Sequence, residues 1–138
     1  MFISAAQIAD RMAKADAAAK AGTEYRGEPL LLQGEFRANM EYRVAAAPKV
    51  NVHESDSELF VVLDGSGTMA LGGKLINPSR NGTNLQADAA EGGVPHKLVK
   101  GDMLLIPENL AHAVTQTDGK LVLLSMHLPH PATPAPPH

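Results

Sequence analysis

The segment NVHESDSELFVVLDGSG, residues 51–67, places His53 and Glu58 at the start of a strongly apolar run. A second histidine, His112, follows another apolar run, MLLIP at residues 103–107, after a short turn. Two neutral imidazoles and one carboxylate on neighbouring strands can converge on a divalent metal ion. The alternative is that these side chains form a solvated rim or a polar lining that holds no metal.

The composition suits one globular domain, because the chain has 138 residues, a net charge of -3 and 44% hydrophobic residues. The chain has no cysteine, so any metal must be held by nitrogen and oxygen ligands. There are 12 basic and 15 acidic residues, without a cluster of lysine or arginine. We therefore expect no nucleic-acid partner.

The sequence offers no apolar run near the roughly 20 residues that cross a bilayer, and no pattern typical of a secretory signal. We expect no membrane partner and a cytoplasmic location. A periplasmic protein whose signal peptide has been removed is the alternative.

One helix is predicted at the start of the chain. Residues 4–21 are half alanine and place their larger apolar side chains on one face at helical spacing. Ser4 and Gln7 predict a capping box at its beginning, and Gly22 predicts its end.

From Pro29 onwards the pattern is typical of β-strands. Residues 36–44 alternate apolar and polar side chains, and three short apolar runs follow at 58–63, 103–107 and 121–128. Turns are predicted at glycine and aspartate clusters, namely 64–67, 72–73, 101–102 and 118–119. Short strands with one leading helix predict an all-β fold, an antiparallel β-sandwich or small barrel.

The later segments carry three further predictions. The apolar runs have apolar residues of both parities, so we expect cover on both faces, by the helix and by a second subunit in a homodimer. Residues 74–97 lack a sustained period and predict a long loop. Residues 128–138 contain five of the ten prolines and predict a disordered tail, which leaves a single domain at 1–127 with its barrel at about 29–127.

The sequence resembles the cupin superfamily, whose two motifs are G-x5-H-x-H-x(3,4)-E-x6-G and G-x5-P-x-G-x2-H-x3-N. His53, Glu58 and Gly65 fit the first motif, and Gly101, Pro107 and His112 fit the second with its spacing intact. The resemblance implies a double-stranded antiparallel β-barrel of the jelly-roll type, with a metal site inside. It implies that His53, Glu58 and His112 are metal ligands.

The chain departs from these motifs at four positions: Ala45, Asn51, Asn109 and Gln116. Asn51 stands where the family has its first metal-binding histidine, and an amide oxygen is a weaker, neutral ligand. Asn51 is therefore a candidate ligand, which could bind the metal directly, bind it through water or leave that position to a substrate. The alternative is that Asn51 only hydrogen-bonds to a neighbouring strand.

The resemblance implies a small metal-dependent enzyme that acts on an oxygen-rich or carboxylate-bearing small molecule, as an oxygenase, isomerase or lyase. Its cofactor would be one divalent ion of iron, manganese, nickel or zinc. Tyr42 and Gln116 are candidates for orienting the substrate or moving a proton, and the loop at 74–97 is a candidate lid. His127 ends the last strand and is expected to be structural or to support the site.

Two alternatives remain open from the sequence. The first is a binding module that captures a small ligand or metal without turnover. The second is a structural dimer without metal.

Overall fold

The computed structural model describes residues 1–130. These residues contain one helix, α1 (Ala5–Lys20), and strands paired antiparallel throughout. In chain order the strands are β1 (Tyr25–Gln33), β2 (Phe36–Arg43), β3 (Val50–His53), β4 (Asp56–Leu71), β5 (Lys74–Ile76), β6 (Ser79–Asn81), β7 (Asn84–Ala87), β8 (Ala89–Glu91), β9 (Val94–Val99), β10 (Met103–Ile106) and β11 (His112–Pro129). The prediction of an all-β antiparallel fold with a leading helix is confirmed, although the pairings within residues 1–130 do not close into a barrel.

The helix α1 begins and ends as its sequence predicts. Ser4 and Gln7 form the capping box, in which each residue's side chain accepts a hydrogen bond from the other's backbone N–H. Gly22 has a φ of 100°, which a residue with a side chain rarely adopts. Ala15 of α1 is buried against the outer side of the sheet, where it joins a cluster with Met40, Tyr42 and Val122.

Two long strands form the frame of the fold. β4 has 16 residues and β11 has 18, and they pair along most of their length. The predicted turns at 64–67 and 118–119 are wrong, because both segments lie inside these strands. They form a β-bulge instead, where the register jumps between Thr117 and Leu121. Glycine and aspartate allow the positive φ angles that bulges and hairpins both need, so their presence did not distinguish the two.

Gly65, which fits the first cupin motif, is required by this bulge. Its φ is 74°, and a Cβ atom there would lie 2.1 Å from the backbone oxygen of Lys120. The two other predicted turns are confirmed, since 72–73 connects β4 to β5 and 101–102 connects β9 to β10.

The predicted loop at 74–97 is wrong, because it contains β5, β6, β7, β8 and part of β9. β5 pairs with β8, β6 pairs with β7, and β7 extends the main sheet through β3. Strands of three or four residues are too short for a period of two to be recognised, and the asparagines and glycines between them conceal the pattern.

The main core lies between the strands and is formed by Phe60, Val62, Met69, Leu98, Ile106, Val114, Leu121 and Leu123. The prediction that the apolar strands are covered on both faces is confirmed for β11, where Leu121, Val122 and Leu123 are fully buried. The same prediction is wrong for β10 within the single chain, because Met103 and Leu105 are 66% and 56% exposed.

The C-terminal end differs from its prediction. Leu128 and Pro129 belong to β11 and pair with the start of β4, so the predicted tail does not begin at 128. The rest of the predicted tail, residues 131–138, lies outside the described residues. Within residues 1–130, no helix combines the length and the hydropathy that a bilayer-spanning segment needs.

Tyr42 connects β2 to the helix. Its side chain is buried, and its hydroxyl donates a hydrogen bond to the carboxylate of Asp16 in α1. Burial and this carboxylate together raise the pKa of Tyr42 to about 12. The hydrogen bond lowers the pKa of Asp16, against a smaller opposing effect of burial and with further help from Lys120. The pair therefore stabilises the docking of α1 on the sheet.

We expect Tyr42→Phe to lower the free energy of unfolding by about 1–2 kcal/mol, because it removes a hydrogen bond to a charged acceptor. Asp16 has a lowered pKa, so the difference should be fully present above pH 3.8, the ordinary value for aspartate, and should shrink as the pH falls further. Denaturant unfolding at several pH values measures it. Asp10→Asn, on the exposed side of α1, is the matched control. A variant as stable as the original protein would contradict this account.

Candidate metal centre

The centre of the site is Glu58, a carboxylate on β4 that is only 3% exposed. Its Oε2 atom lies 3.3 Å from Nε2 of His53 and 3.2 Å from Nε2 of His112. Its Oε1 atom accepts a hydrogen bond of 2.5 Å from the Ser125 hydroxyl. The ligand atoms of His53, Glu58 and His112 all lie within 4.8 Å of one another, so these three predicted ligands are brought together.

Each histidine is positioned by the end of a strand. β3 buries Val50 and Val52 in an apolar cluster, so that His53, of opposite parity, faces the cavity. His112 begins β11, where it pairs with β3 at Asn51. The connection before β11 is fastened to β3, because the backbone N–H of Asn109 donates to the carbonyl of His53 at 2.7 Å.

The backbone conformation of Asn109 explains why an asparagine can replace the glycine of the second cupin motif. The family has glycine there, and Asn109 has a φ of 64°. Asparagine adopts this left-handed conformation more readily than other residues with side chains. The turn that brings His112 to the site is therefore retained.

Both imidazoles are oriented by a hydrogen bond at Nδ1. Nδ1 of His53 contacts Oδ1 of Asn84 at 2.9 Å, and Nδ1 of His112 contacts the carbonyl of Leu110 at 3.2 Å. Both acceptors are oxygen atoms, so Nδ1 is the donor in each contact and Nε2 is the nitrogen that faces Glu58. Nε2 donates to Glu58 when it is protonated, and a bound metal ion would take the place of that proton. This is the arrangement in which outer hydrogen bonds prepare a histidine to bind a metal through Nε2.

The electrostatics of the site centre on the charged form of Glu58. Burial alone would raise its pKa, but hydrogen bonds from His112, His53 and Ser125 outweigh burial and hold its pKa well below the usual range. The hydrogen bond to Glu58 in turn raises the pKa of His53, against the opposing effect of burial. The carboxylate therefore stays ionised and attracts cations.

His127, which the sequence predicts to be structural or to support the site, is a neighbour of this group. It pairs with Glu58 across β4 and β11, and its Nε2 lies 3.4 Å from Oε1 of Glu58. Its Nδ1 contacts the carboxylate of Asp56, and its ring centre lies 4.8 Å from that of His53. A count of every second residue along LVLLSMHL places Ser125 and His127 on one face, but only the register with β4 brings that face to Glu58.

The site opens into a cavity of about 210 Å³. Part of its wall is apolar and includes Phe60, Met69 and Val114. A larger outer groove of about 700 Å³ shares His53 and His127 with this cavity, so the site faces a route to the surface.

The opposite wall of the cavity is polar and was also missed. It contains Glu41 and Arg43 of β2, joined by a contact of 3.0 Å between Oε2 and Nη2, and Tyr25 of β1. The Arg43 guanidinium lies 4.3 Å from the centre of the Tyr25 ring, and its buried Nε has no hydrogen-bond partner within residues 1–130. Burial raises the pKa of Glu41 despite the opposing charge of Arg43.

The structure does not bring the two predicted catalytic residues to the cavity. Tyr42 points to the other face of β2 and packs against α1, because the apolar side of β2 is covered by the helix and its polar side faces inwards. Gln116 lies at the bulge in β11, where its side chain donates to Asp118. Asn51 does line the cavity, and its Oδ1 accepts a hydrogen bond of 3.0 Å from Gln86.

No protein-family model matches the chain, and no curated protein matches it. Solved structures do. The cupin domain of Schizosaccharomyces pombe Cnp3 superposes with a TM-score of 0.57 at 12% identity, over 78% of this chain and 63% of that chain. The chain has a cupin fold.

Two further cupin-fold structures show the range of proteins that share this architecture. A putative mannose-6-phosphate isomerase from Ralstonia eutropha JMP134 has a TM-score of 0.55 at 20% identity, over 79% of this chain and 89% of that chain. Hydroquinone 1,2-dioxygenase PnpCD, in complex with Cd²⁺ and 4-hydroxybenzonitrile, has a TM-score of 0.58 at 20% identity, over 83% of this chain and 71% of that chain. At these identities the similarity concerns the fold of the chain and leaves its reaction open.

Proposed function

We propose that this cupin is a metal-dependent enzyme that acts on a small oxygen-rich or carboxylate-bearing molecule in its cavity, as an oxygenase, isomerase or lyase. The observation that carries the proposal is the convergence of His53 and His112 on the buried carboxylate of Glu58. The cupin-fold neighbours described as an isomerase and a dioxygenase support the proposal at the level of reaction classes.

The donor set fits one divalent ion. His53 and His112 would each supply Nε2, and Glu58 would supply a carboxylate oxygen, a combination that suits iron, manganese, nickel or zinc. An ion held there would polarise an oxygen atom of a bound molecule. Asn51 lines the same cavity and would stand beside the ion as a weak ligand or as a partner for the substrate.

The charges favour an anionic or chelating ligand. A divalent ion with Glu58 and two neutral imidazoles would carry about one excess positive charge, which attracts anions. Arg43 on the opposite wall pairs with Glu41 and adds guanidinium donors. The cavity of about 210 Å³ is smaller than the roughly 300 Å³ or more typical of drug-sized ligands, so the molecule would have few carbon atoms.

Glu41 would be the group that holds a proton beside the substrate. Burial raises its pKa, so it keeps its proton to higher pH than an exposed glutamate. Arg43 holds the Oε2 atom of Glu41 through the contact at 3.0 Å. Arg43 and Tyr25 would bind and orient the molecule, while the apolar wall limits the access of water.

The first test is metal binding. We expect one divalent ion per chain after purification without chelators, and a stabilisation of about 2.7 kcal/mol at a metal concentration 100 times Kd. His112→Ala should abolish both, because it removes one of the imidazoles that converge on Glu58. Elemental analysis and thermal unfolding measure the effect, with His96→Ala, an exposed histidine on β9, as the matched control. Equal metal content in the His112→Ala variant would contradict the proposal.

The second test concerns turnover. We expect metal-loaded protein to be stabilised by short hydroxy and keto acids and to convert at least one of them, as followed by mass spectrometry. Arg43→Lys should raise KM about 10-fold or more with a smaller effect on kcat, because lysine lacks the planar donor pair. Stabilisation by carboxylates without any product would favour the binding module. That alternative is supported by the distance of Tyr42 and Gln116 from the cavity.

We also propose that the protein is a homodimer, formed through the outer face of β10. Met103 and Leu105 are exposed there, while Leu104 and Ile106 turn to the core. Two large apolar side chains side by side on a strand are costly to leave in water.

The dimer is tested by light scattering, with a monomer mass of 14.5 kDa as the reference. We expect twice this mass for the original protein and the monomer mass for Met103→Glu, because a buried unpaired carboxylate is costly at an interface. Lys74→Glu, an exposed change of charge on β5, is the control and should stay dimeric. A monomeric original protein would refute the dimer.

A further inference from the structure

His127 lies beside the candidate metal ligands. It lies on β11 directly opposite Glu58 on β4, and its Nε2 is 3.4 Å from Oε1 of that carboxylate. His53 and His112 approach Oε2 of the same carboxylate at 3.3 and 3.2 Å. Three Nε2 atoms therefore converge on one buried glutamate, from both of its oxygens.

His127 is also oriented as the two other histidines are. Its Nδ1 contacts the carboxylate of Asp56, just as Nδ1 of His53 contacts Asn84 and Nδ1 of His112 contacts the carbonyl of Leu110. An acceptor at Nδ1 keeps a proton on that nitrogen and leaves Nε2 as the nitrogen that can bind a metal. When the acceptor is a carboxylate, Nε2 becomes more basic and therefore a stronger metal ligand.

Asn51 is arranged differently. It occupies the position of the missing histidine in the first motif, but its Oδ1 atom is engaged by the Gln86 side chain at 3.0 Å. Direct binding to a metal would require this hydrogen bond to be shared or broken. His127 on β11 could therefore supply the nitrogen ligand that the first motif lacks at Asn51.

We propose that His127 supplies the third nitrogen of the metal site, in place of the histidine that Asn51 replaces. This inference rests on the proposed function, in which the cavity holds a divalent ion. The ligand set is then His53, Glu58, His112 and His127, with Asp56 as the positioning residue of His127. The competing role is structural, in which the Asp56–His127 pair only fastens the end of β11 to the start of β4.

The decisive experiment observes the histidine rings of the original protein directly. Nitrogen NMR of the imidazoles is recorded while Zn²⁺ is added. We expect the Nε2 resonances of three histidines, His53, His112 and His127, to move together to metal-bound values at one ion per chain. His96, exposed on β9, should not move. If only the Nε2 resonances of His53 and His112 moved, the inference would be overturned and the proposed function would stay intact.

Variants provide a second readout, the visible spectrum of the Co²⁺-loaded protein, which reports the ligands of the ion. His127→Ala should change this spectrum and weaken Co²⁺ binding by at least about 10-fold, whereas Asn51→Ala should leave the spectrum unchanged. Asp56→Asn should weaken binding with the spectrum retained. A His127→Ala spectrum identical to the original would overturn the inference.

Two further outcomes distinguish the inference from its foundation. The ligand atoms of His53, Asp56 and His127 also lie within 4.8 Å of one another, so they could form a second metal site. Binding of two ions per chain, one of them at this second site, would overturn the inference that His127 belongs to the first site. Absence of Zn²⁺ binding by the original protein would remove the proposed function and this inference together.

Discussion

A carboxylate that is buried in the interior of a protein must be paired, and Glu58 is the group around which this structure is arranged. It is 3% exposed, and an unpaired charge at that depth would cost several kcal/mol. The Ser125 hydroxyl and three imidazoles surround its two oxygens. These partners come from β3 and from both ends of β11, so Glu58 can be buried in its ionised form only when the sheet is assembled.

The strands β4 and β11 make this assembly possible. Glu58 pairs with His127 in their ladder, whereas His112 pairs with Leu71 at the other end of β4. Both histidines nevertheless approach the same carboxylate, which requires the long strands to bend. The bulge at Gly65, where a Cβ atom would meet the Lys120 carbonyl, lies between the two ends and accounts for part of that bending.

The two walls of the cavity have complementary roles. One wall carries the histidines and Glu58, and the other carries Glu41, Arg43 and Tyr25. β2 contributes to the second wall with its polar side, because α1 covers its apolar side through Met40 and Tyr42. The docking of the helix outside the sheet therefore decides which side chains of β2 reach the site, although no helix residue lines the cavity.

The sequence alone determined the elements whose signals are local. The capping box of α1, the strand at 36–44 and the turns at 72–73 and 101–102 follow from neighbouring residues, and motif spacing identified His53, Glu58 and His112. Local patterns could not decide between a turn and a bulge at 64–67, nor find the short strands within 74–97. They also could not decide which side of β2 faces inwards, so Tyr42 was preferred to Glu41 and Arg43. Those choices, and the arrival of His127 beside Glu58, depend on register and packing between residues distant in the chain, which only the tertiary structure decided.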